Sequence, residues 1–163
     1  MTSSPPGSDT PDTPLSGARE RFPVSFAVFG VARTHRALAA ALLRDLGLYP
    51  GQEIMLLQLW ERDGQSQQAL GRTLGLDHST VAKSVRRLAA AGLVTRERSG
   101  ADRRVTLVSL TPEGRALESH VAEVWAKLEE RATAGLSAEE CARFVAAARA
   151  IEAAIEPDAG ING

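Results

Sequence analysis

The stretch LDHSTVAKSVRRLAAAGLVTRERSGADRRVTLVSLT, Leu76 to Thr111, decides the fold. Asp77 is a helix cap, because its carboxylate can accept N–H groups left free at a helix start. The helix it opens spans about 78–91. Val81, Val85 and Leu88 recur at helical spacing and form its buried stripe. Ser79, Thr80, Lys83, Ser84 and Arg87 then fall on the opposite face, with Arg86 at its flank. That face carries no acid from His78 to Gly92, whereas a merely solvated face mixes signs. Short hydroxyls and cations in this arrangement suit a DNA major groove, where Lys and Arg pair with guanine or with phosphate. Gly92 ends the helix. Leu93–Arg98 and Arg104–Leu110, rich in β-branched residues, read as two strands. Ser99-Gly100-Ala101-Asp102 joins them, with Gly100 available for a positive φ. The hairpin tip thus presents Arg98, Arg103 and Arg104, and a guanidinium there can enter a narrow minor groove. Asp102 is placed to hold Arg104 by an ion pair. The bland reading of the tip is a surface hairpin with a weak exposed salt bridge.

Upstream, Gln65 can form a short strand and Ser66 caps a third helix over 67–74, closed by Gly75. Short helix, glycine-containing turn and second helix make a helix-turn-helix, with a generic helical hairpin as the alternative. Gly71 stands where a small residue lets the two helices approach. A second helix, about 51–62, is apolar on most sides through Ile54, Met55, Leu56, Leu57, Leu59 and Trp60. It should be central. Trp60 is either core or a ligand platform. The first long helix, 24–46, carries Val28, Val31, His35, Leu38, Leu42 and Leu46 at helical spacing and stops at Gly47. His35 in that stripe is a core or interface histidine, or a polar handle at a ligand pocket.

Downstream, Thr111-Pro112-Glu113 is a hydroxyl cap, a proline at the first helical position and an acid in the first turn. The fifth helix, about 112–133, buries Leu117, Val121, Val124, Trp125 and Leu128. Ser137-Ala-Glu-Glu140 has the form of a capping box. The sixth helix, 138–155, aligns Cys141, Phe144, Val145, Ala148, Ile151 and Ile155 on one face. The first, fifth and sixth helices offer more apolar surface than one hairpin-bearing unit covers, so a second copy of the chain is expected against them.

Composition supports this plan. The chain has 163 residues, with 44% apolar and only 4% aromatic side chains. Net charge is −1, yet Ser66–Leu110 holds eight Lys/Arg and three acids, leaving −6 for the rest. A basic segment in an acidic remainder is the footprint of a nucleic-acid site. The single cysteine, Cys141, excludes an intrachain disulfide and fits a reducing cytoplasm. No signal peptide is evident, and no apolar run comes near the ~20 residues that span a bilayer. Residues 1–20, rich in Pro, Ser and Thr at their start, are expected as a disordered tail, and 157–163 as a flexible end.

From Gly92 to Gly114 the sequence GLVTRERSGADRRVTLVSLTPEG, with its D-x-R at Asp102–Arg104, resembles the MarR family of bacterial winged-helix transcription regulators. DHSTVAKSVRRLAAAGL before it is similar to that family's recognition helix, and the resemblance covers about residues 24–155. It implies a mainly α fold with a small β-hairpin wing (α+β): a winged helix-turn-helix at 51–110, with dimerisation helices at 24–48 and 111–155 of a domain spanning 21–156. It further implies a homodimer on a pseudo-palindromic duplex, with recognition helices about 34 Å apart. Arg104 would be the minor-groove arginine and Asp102 its brace. Many relatives are repressors released by a small aromatic or anionic ligand, for which His35 and Trp60 are candidate contacts. The chain departs from the peroxide-sensing relatives, which carry a cysteine near the start of the first helix. His35, His78, His120 and Cys141 show no metal-ligand spacing.

Two other classes fit the sequence less well. An enzyme would need a convergent nucleophile and base, paired carboxylates or a Gly-rich phosphate loop, and none is present, so no catalytic residue and no cofactor are expected. A winged-helix scaffold that binds protein would favour aromatics over lysine, against the basic face at 79–87.

Overall fold

The computed structural model describes residues 16–155, which fall into two units divided between Ala37 and Leu38. In the first, α1 (Ser16–Arg21) and the beginning of α2 (Pro23–Leu43) are separated at Phe22. Pro23 has no N–H to bond back into α1 and sits instead at the first position of α2. α1 begins within the stretch expected as a tail, residues 1–20. The rest of that tail, and residues 157–163, lie outside the described residues.

The expected buried stripe of the first helix is also corrected. Val28, Val31 and His35 are exposed, and only its last turns, through Ala39 and Leu43, are buried. The Pro23–Leu46 stretch is long and apolar enough, by length and composition alone, to cross a membrane. Arg33 and Arg36 interrupt it, so it holds no unbroken apolar run of ~20 residues, as expected.

The second unit holds the core. A 3₁₀ turn, Arg44–Leu46, ends at Gly47 with φ 68°, and its N–H returns to Arg44 O. Then follow α3 (Gln52–Glu61), β1 (Gln65–Ser66), α4 (Gln67–Leu74), α5 (His78–Ala90), β2 (Val94–Arg98), β3 (Thr106–Leu110), α6 (Pro112–Ala116), α7 (Glu118–Thr133) and α8 (Ala138–Ile155). Leu43, Met55, Leu56, Leu59, Leu70, Val81, Val85, Leu88, Val108 and Val121 are fully buried together. α3 is central, as its apolar sides require. The sheet order is β1-β3-β2, antiparallel throughout, with Val94 opposite Leu110 and Arg98 opposite Thr106.

The fold is mainly helical with a small three-stranded antiparallel sheet, as expected, and the helix starts form at their local signals. Ser66 Oγ accepts Ala69 N–H, Asp77 accepts Thr80 N–H, Thr111 Oγ1 accepts Gly114 N–H, and Ser137 and Glu140 exchange hydrogen bonds as a capping box. Gly71 meets its expected constraint: a Cβ there would lie 3.0 Å from Leu76 O and 3.4 Å from Val81 Cγ2.

The expected fifth helix is broken at Leu117 into α6 and α7. The carbonyl that Glu118 N–H would meet in an unbroken helix, that of Gly114, accepts the Trp60 indole N–H at 3.1 Å. A contact across 54 residues thus falls where the local pattern breaks. The expected face of the sixth helix, 141–155, has no fully buried residue. Phe144, Val145 and Ile155 are exposed.

Candidate nucleic-acid interface

α5 presents the outer face expected of it. Ser79, Thr80, Lys83, Arg86 and Arg87 are exposed and Ser84 is half-buried, while Val81, Val85 and Leu88 are buried beneath. The two hydroxyls are both engaged. Ser79 Oγ donates to Asp77 Oδ1 at 2.6 Å, and Thr80 Oγ1 donates to Asp77 Oδ2 at 2.6 Å. These bonds, Ser79 first, hold the Asp77 carboxyl far below the usual carboxylate range. Donating to a phosphate or a base acceptor would break these bonds to Asp77, whereas the remaining lone pairs can accept from a base amino group.

Arg87 has an unanticipated neighbour. Its guanidinium lies 5.7 Å from the centroid of the exposed Tyr49 ring, within cation–π range. Nothing local marks this pair, because Tyr49 precedes α3 and Arg87 sits 38 positions on.

The wing tip departs from expectation in two ways. Gly100 has no positive φ, and β3 begins at Thr106, not Arg104. Side chains shape the tip instead. Ser99 Oγ accepts the N–H groups of Ala101 and Asp102, Ser99 N–H donates to Val105 O at 2.9 Å, and Val105 N–H donates to Asp102 O at 2.9 Å. Asp102 Oδ1 accepts Arg104 N–H at 2.9 Å, and the carboxylate pairs with the Arg104 guanidinium through Nε and NH2, each at 3.3 Å. The backbone bond first, then the guanidinium, holds the Asp102 carboxyl below its ordinary value. Arg104 is 92% exposed at the side chain. Arg98 donates to Arg104 O at 3.4 Å, and Arg103 is exposed. Four side chains are thereby organised around one turn.

The wing is anchored from below by a residue whose role the sequence did not disclose. Asp63 accepts N–H bonds from Gly64 at 2.9 Å and Leu110 at 2.8 Å and pairs with Arg115. Burial works to raise its pKa, but these hydrogen bonds and the Arg115 charge outweigh it, and the carboxyl sits below its ordinary value. The Asp63-Gly64 dipeptide, a turn signal, is the only local hint.

Of the two candidate ligand contacts, His35 is exposed on α2 in the first unit. Trp60 is half-buried in the second, with its N–H committed to Gly114 O. Among the described residues no group of three His, Cys, Asp or Glu side chains could hold a metal ion. Cys141 is half-buried.

The MarR family model matches residues 46–105, from the end of the 3₁₀ turn to the wing tip. An organic hydroperoxide resistance transcriptional regulator of Bacillus subtilis is 31% identical over 99 residues, 61% of this chain and 67% of that protein. The chain belongs to the MarR family. It spans about half the length of other curated regulators that it matches, 48% to 52%. Among MarR-like solved structures, reduced AbfR bound to DNA is 26% identical with a TM-score of 0.69, covering 87% of this chain and 99% of that one. BpsR of Bordetella bronchiseptica, whose DNA binding is regulated by 6-hydroxynicotinic acid, is 26% identical with a TM-score of 0.73, covering 79% and 98%. Both likenesses extend beyond the family-model match into the flanking helices. Family members are transcription regulators, and this chain has their winged fold.

Proposed function

We propose that this chain is a homodimeric, sequence-specific repressor of a pseudo-palindromic operator. The observation that carries the reading is the set of exposed cations on α5 and the wing: Lys83, Arg86 and Arg87 with Ser79, Thr80 and Ser84 on the helix, and Arg98, Arg103 and Arg104 around the tip. In this reading the helix enters a major groove and Arg104 an adjacent minor groove, with Asp102 setting its direction. The apolar side chains left exposed on α2 and α8, among them Phe29, Val31 and Phe144, support a second copy as partner. Helices at 24–48 and 111–155 join the two copies, and 51–110 reads the duplex.

Release by a small aromatic or anionic effector belongs to the same reading, with His35 and Trp60 as its candidate contacts. The regulation of the similar BpsR by a hydroxylated pyridine carboxylic acid supports that arm. The working compartment is the bacterial cytoplasm.

Selection from a random duplex library at physiological salt tests the reading. An enriched inverted repeat is expected, and its affinity should fall steeply with salt because phosphate contacts release counterions. No enrichment, with little retention at low salt, would reject it.

A further inference from the structure

Tyr49, the only tyrosine of the chain, is 65% exposed. A ring left this open adds little to the core, yet its backbone is held on both sides. Its N–H donates to the side chain of the buried Gln52 at 2.8 Å, and its carbonyl accepts Gln52 N–H at 3.0 Å. Leu48 before it is buried, and Leu48 N–H donates to Leu43 O at 3.2 Å. Pro50 after it restricts the Tyr49 backbone further. The ring is thus mounted on a fixed turn, and the Arg87 guanidinium lies over it, 5.7 Å from the centroid. Two other arginines lie over rings, Arg19 over Phe26 and Arg21 over Phe22, and both are local to α1 and the start of α2. The Tyr49 contact instead joins the turn before α3 to the last turn of α5. A ring offers no lone pair, so the contact consumes none of the five N–H donors of arginine.

We propose that Tyr49 is a positioning residue for Arg87, and through it sets base preference on the DNA-reading surface. This rests on the DNA-reading assignment above and deepens it. Arg87 lies one turn beyond Lys83 on the same face of α5. An unheld arginine swings through many rotamers and meets phosphates and bases alike, so it binds without choosing. Holding the guanidinium from the turn before α3 removes most of those directions before DNA arrives. The fork of donors is then presented along one line, which bidentate recognition of guanine O6 and N7 requires. Exclusion of water on docking strengthens the cation–π contact, because its worth grows with desolvation. Folding stability gains little from so open a contact. Its effect falls on binding and, above all, on discrimination.

The test uses the full chain. Tyr49→Leu removes the ring and Tyr49→Phe keeps it. Each variant, with Arg87→Ala, is profiled on the random duplex library, and affinities are measured on the sequence that the native protein enriches. Arg87→Ala should flatten the preference at one guanine in each half-site. Tyr49→Leu should flatten the same position and lower affinity about threefold to fivefold, with Tm unchanged. Tyr49→Phe should keep the native preference and affinity. In the Arg87→Ala background Tyr49→Leu should cost nothing more. An unchanged preference or tighter binding in Tyr49→Leu overturns the proposal, as does an equal loss in Tyr49→Phe. A further loss in the Arg87→Ala background overturns it too, because Tyr49 would then have a DNA contact of its own. So does an Arg87→Ala loss spread evenly over all sequences, the mark of a phosphate contact. If Lys83→Ala and Arg104→Ala lose affinity while Tyr49→Leu does not, this proposal fails alone. If no sequence is enriched and those two variants bind as the native protein does, the DNA reading fails and this proposal with it.

Discussion

Asp102 holds Arg104 twice, through the backbone N–H at 2.9 Å and through the guanidinium at 3.3 Å. The first bond shapes the turn and the second aims the side chain. An arginine this exposed gains little stability from such a pair, so the pair's value lies in direction. Arg104→Ala should weaken DNA binding roughly tenfold while the protein stays folded. Asp102→Ala should weaken it less, and should add nothing in the Arg104→Ala background. Fluorescence anisotropy on the four proteins checks this, and independent, additive losses would refute the brace.

The Asp77 cap should show in acid. Its folded-state pKa lies below the ordinary value of 3.8, chiefly through the Ser79 and Thr80 hydroxyls. A depressed carboxylate pKa means a contribution complete above the unfolded value and lost as pH falls toward the folded one. Asp77→Ala should therefore lower Tm at neutral pH, and its gap to the native protein should narrow steadily below about pH 4. A gap that is constant across that window would contradict the cap.

Gly114→Ala should be far more damaging than Gly71→Ala. A Cβ on Gly114 falls inside the Leu93 carbonyl oxygen and 3.3 Å from Leu110 Cδ2, and both neighbours are fixed by the sheet and by Thr111. Roughly 3 kcal/mol of stability should be lost. At Gly71 the nearest atom is 3.0 Å away, and the gain in helix propensity offsets part of the crowding. Its cost should stay within about 1 kcal/mol. Urea denaturation of both variants ranks them.

Asp63→Ala strips the partners from Leu110 N–H and from Arg115. A loss of about 2 kcal/mol is expected. Asp63→Asn, which keeps an acceptor for the N–H groups but not the charge, should recover part of it. Equal losses in the two variants would assign the whole effect to the ion pair with Arg115.

Phe29→Asp places a charge on a side chain that is 64% exposed in the single chain. If a second copy covers it, sedimentation should show monomer, and binding to a two-half-site duplex should fall by more than binding to one half-site. A dimer of unchanged strength would move the interface elsewhere.

Local chemistry made much of this protein legible. The caps Ser66, Asp77, Thr111 and Ser137 and the stops Gly47, Gly75 and Gly92 each depend on atoms within about four residues, so the chain itself specifies where helices begin and end. The alternation of Val81, Val85 and Leu88 with Lys83 and Arg87 likewise separates core from outer face by periodicity alone. The D-x-R turn is legible for the same reason, since its three hydrogen bonds span two residues.

The Asp63–Arg115 pair, Tyr49 over Arg87, the Trp60 bond at the break in the fifth helix, and the unpaired Gln67 amide were decided only by tertiary structure. Each depends on which surfaces meet after the core has closed, across 38 to 54 residues for the three contacts. The exposed stripe of the first helix teaches the converse lesson. Periodicity established that Val28 and Val31 share a face with Leu38 and Leu42, but a sequence pattern records only that a face is apolar. What covers that face is settled by the surface brought against it, from the same chain or from another.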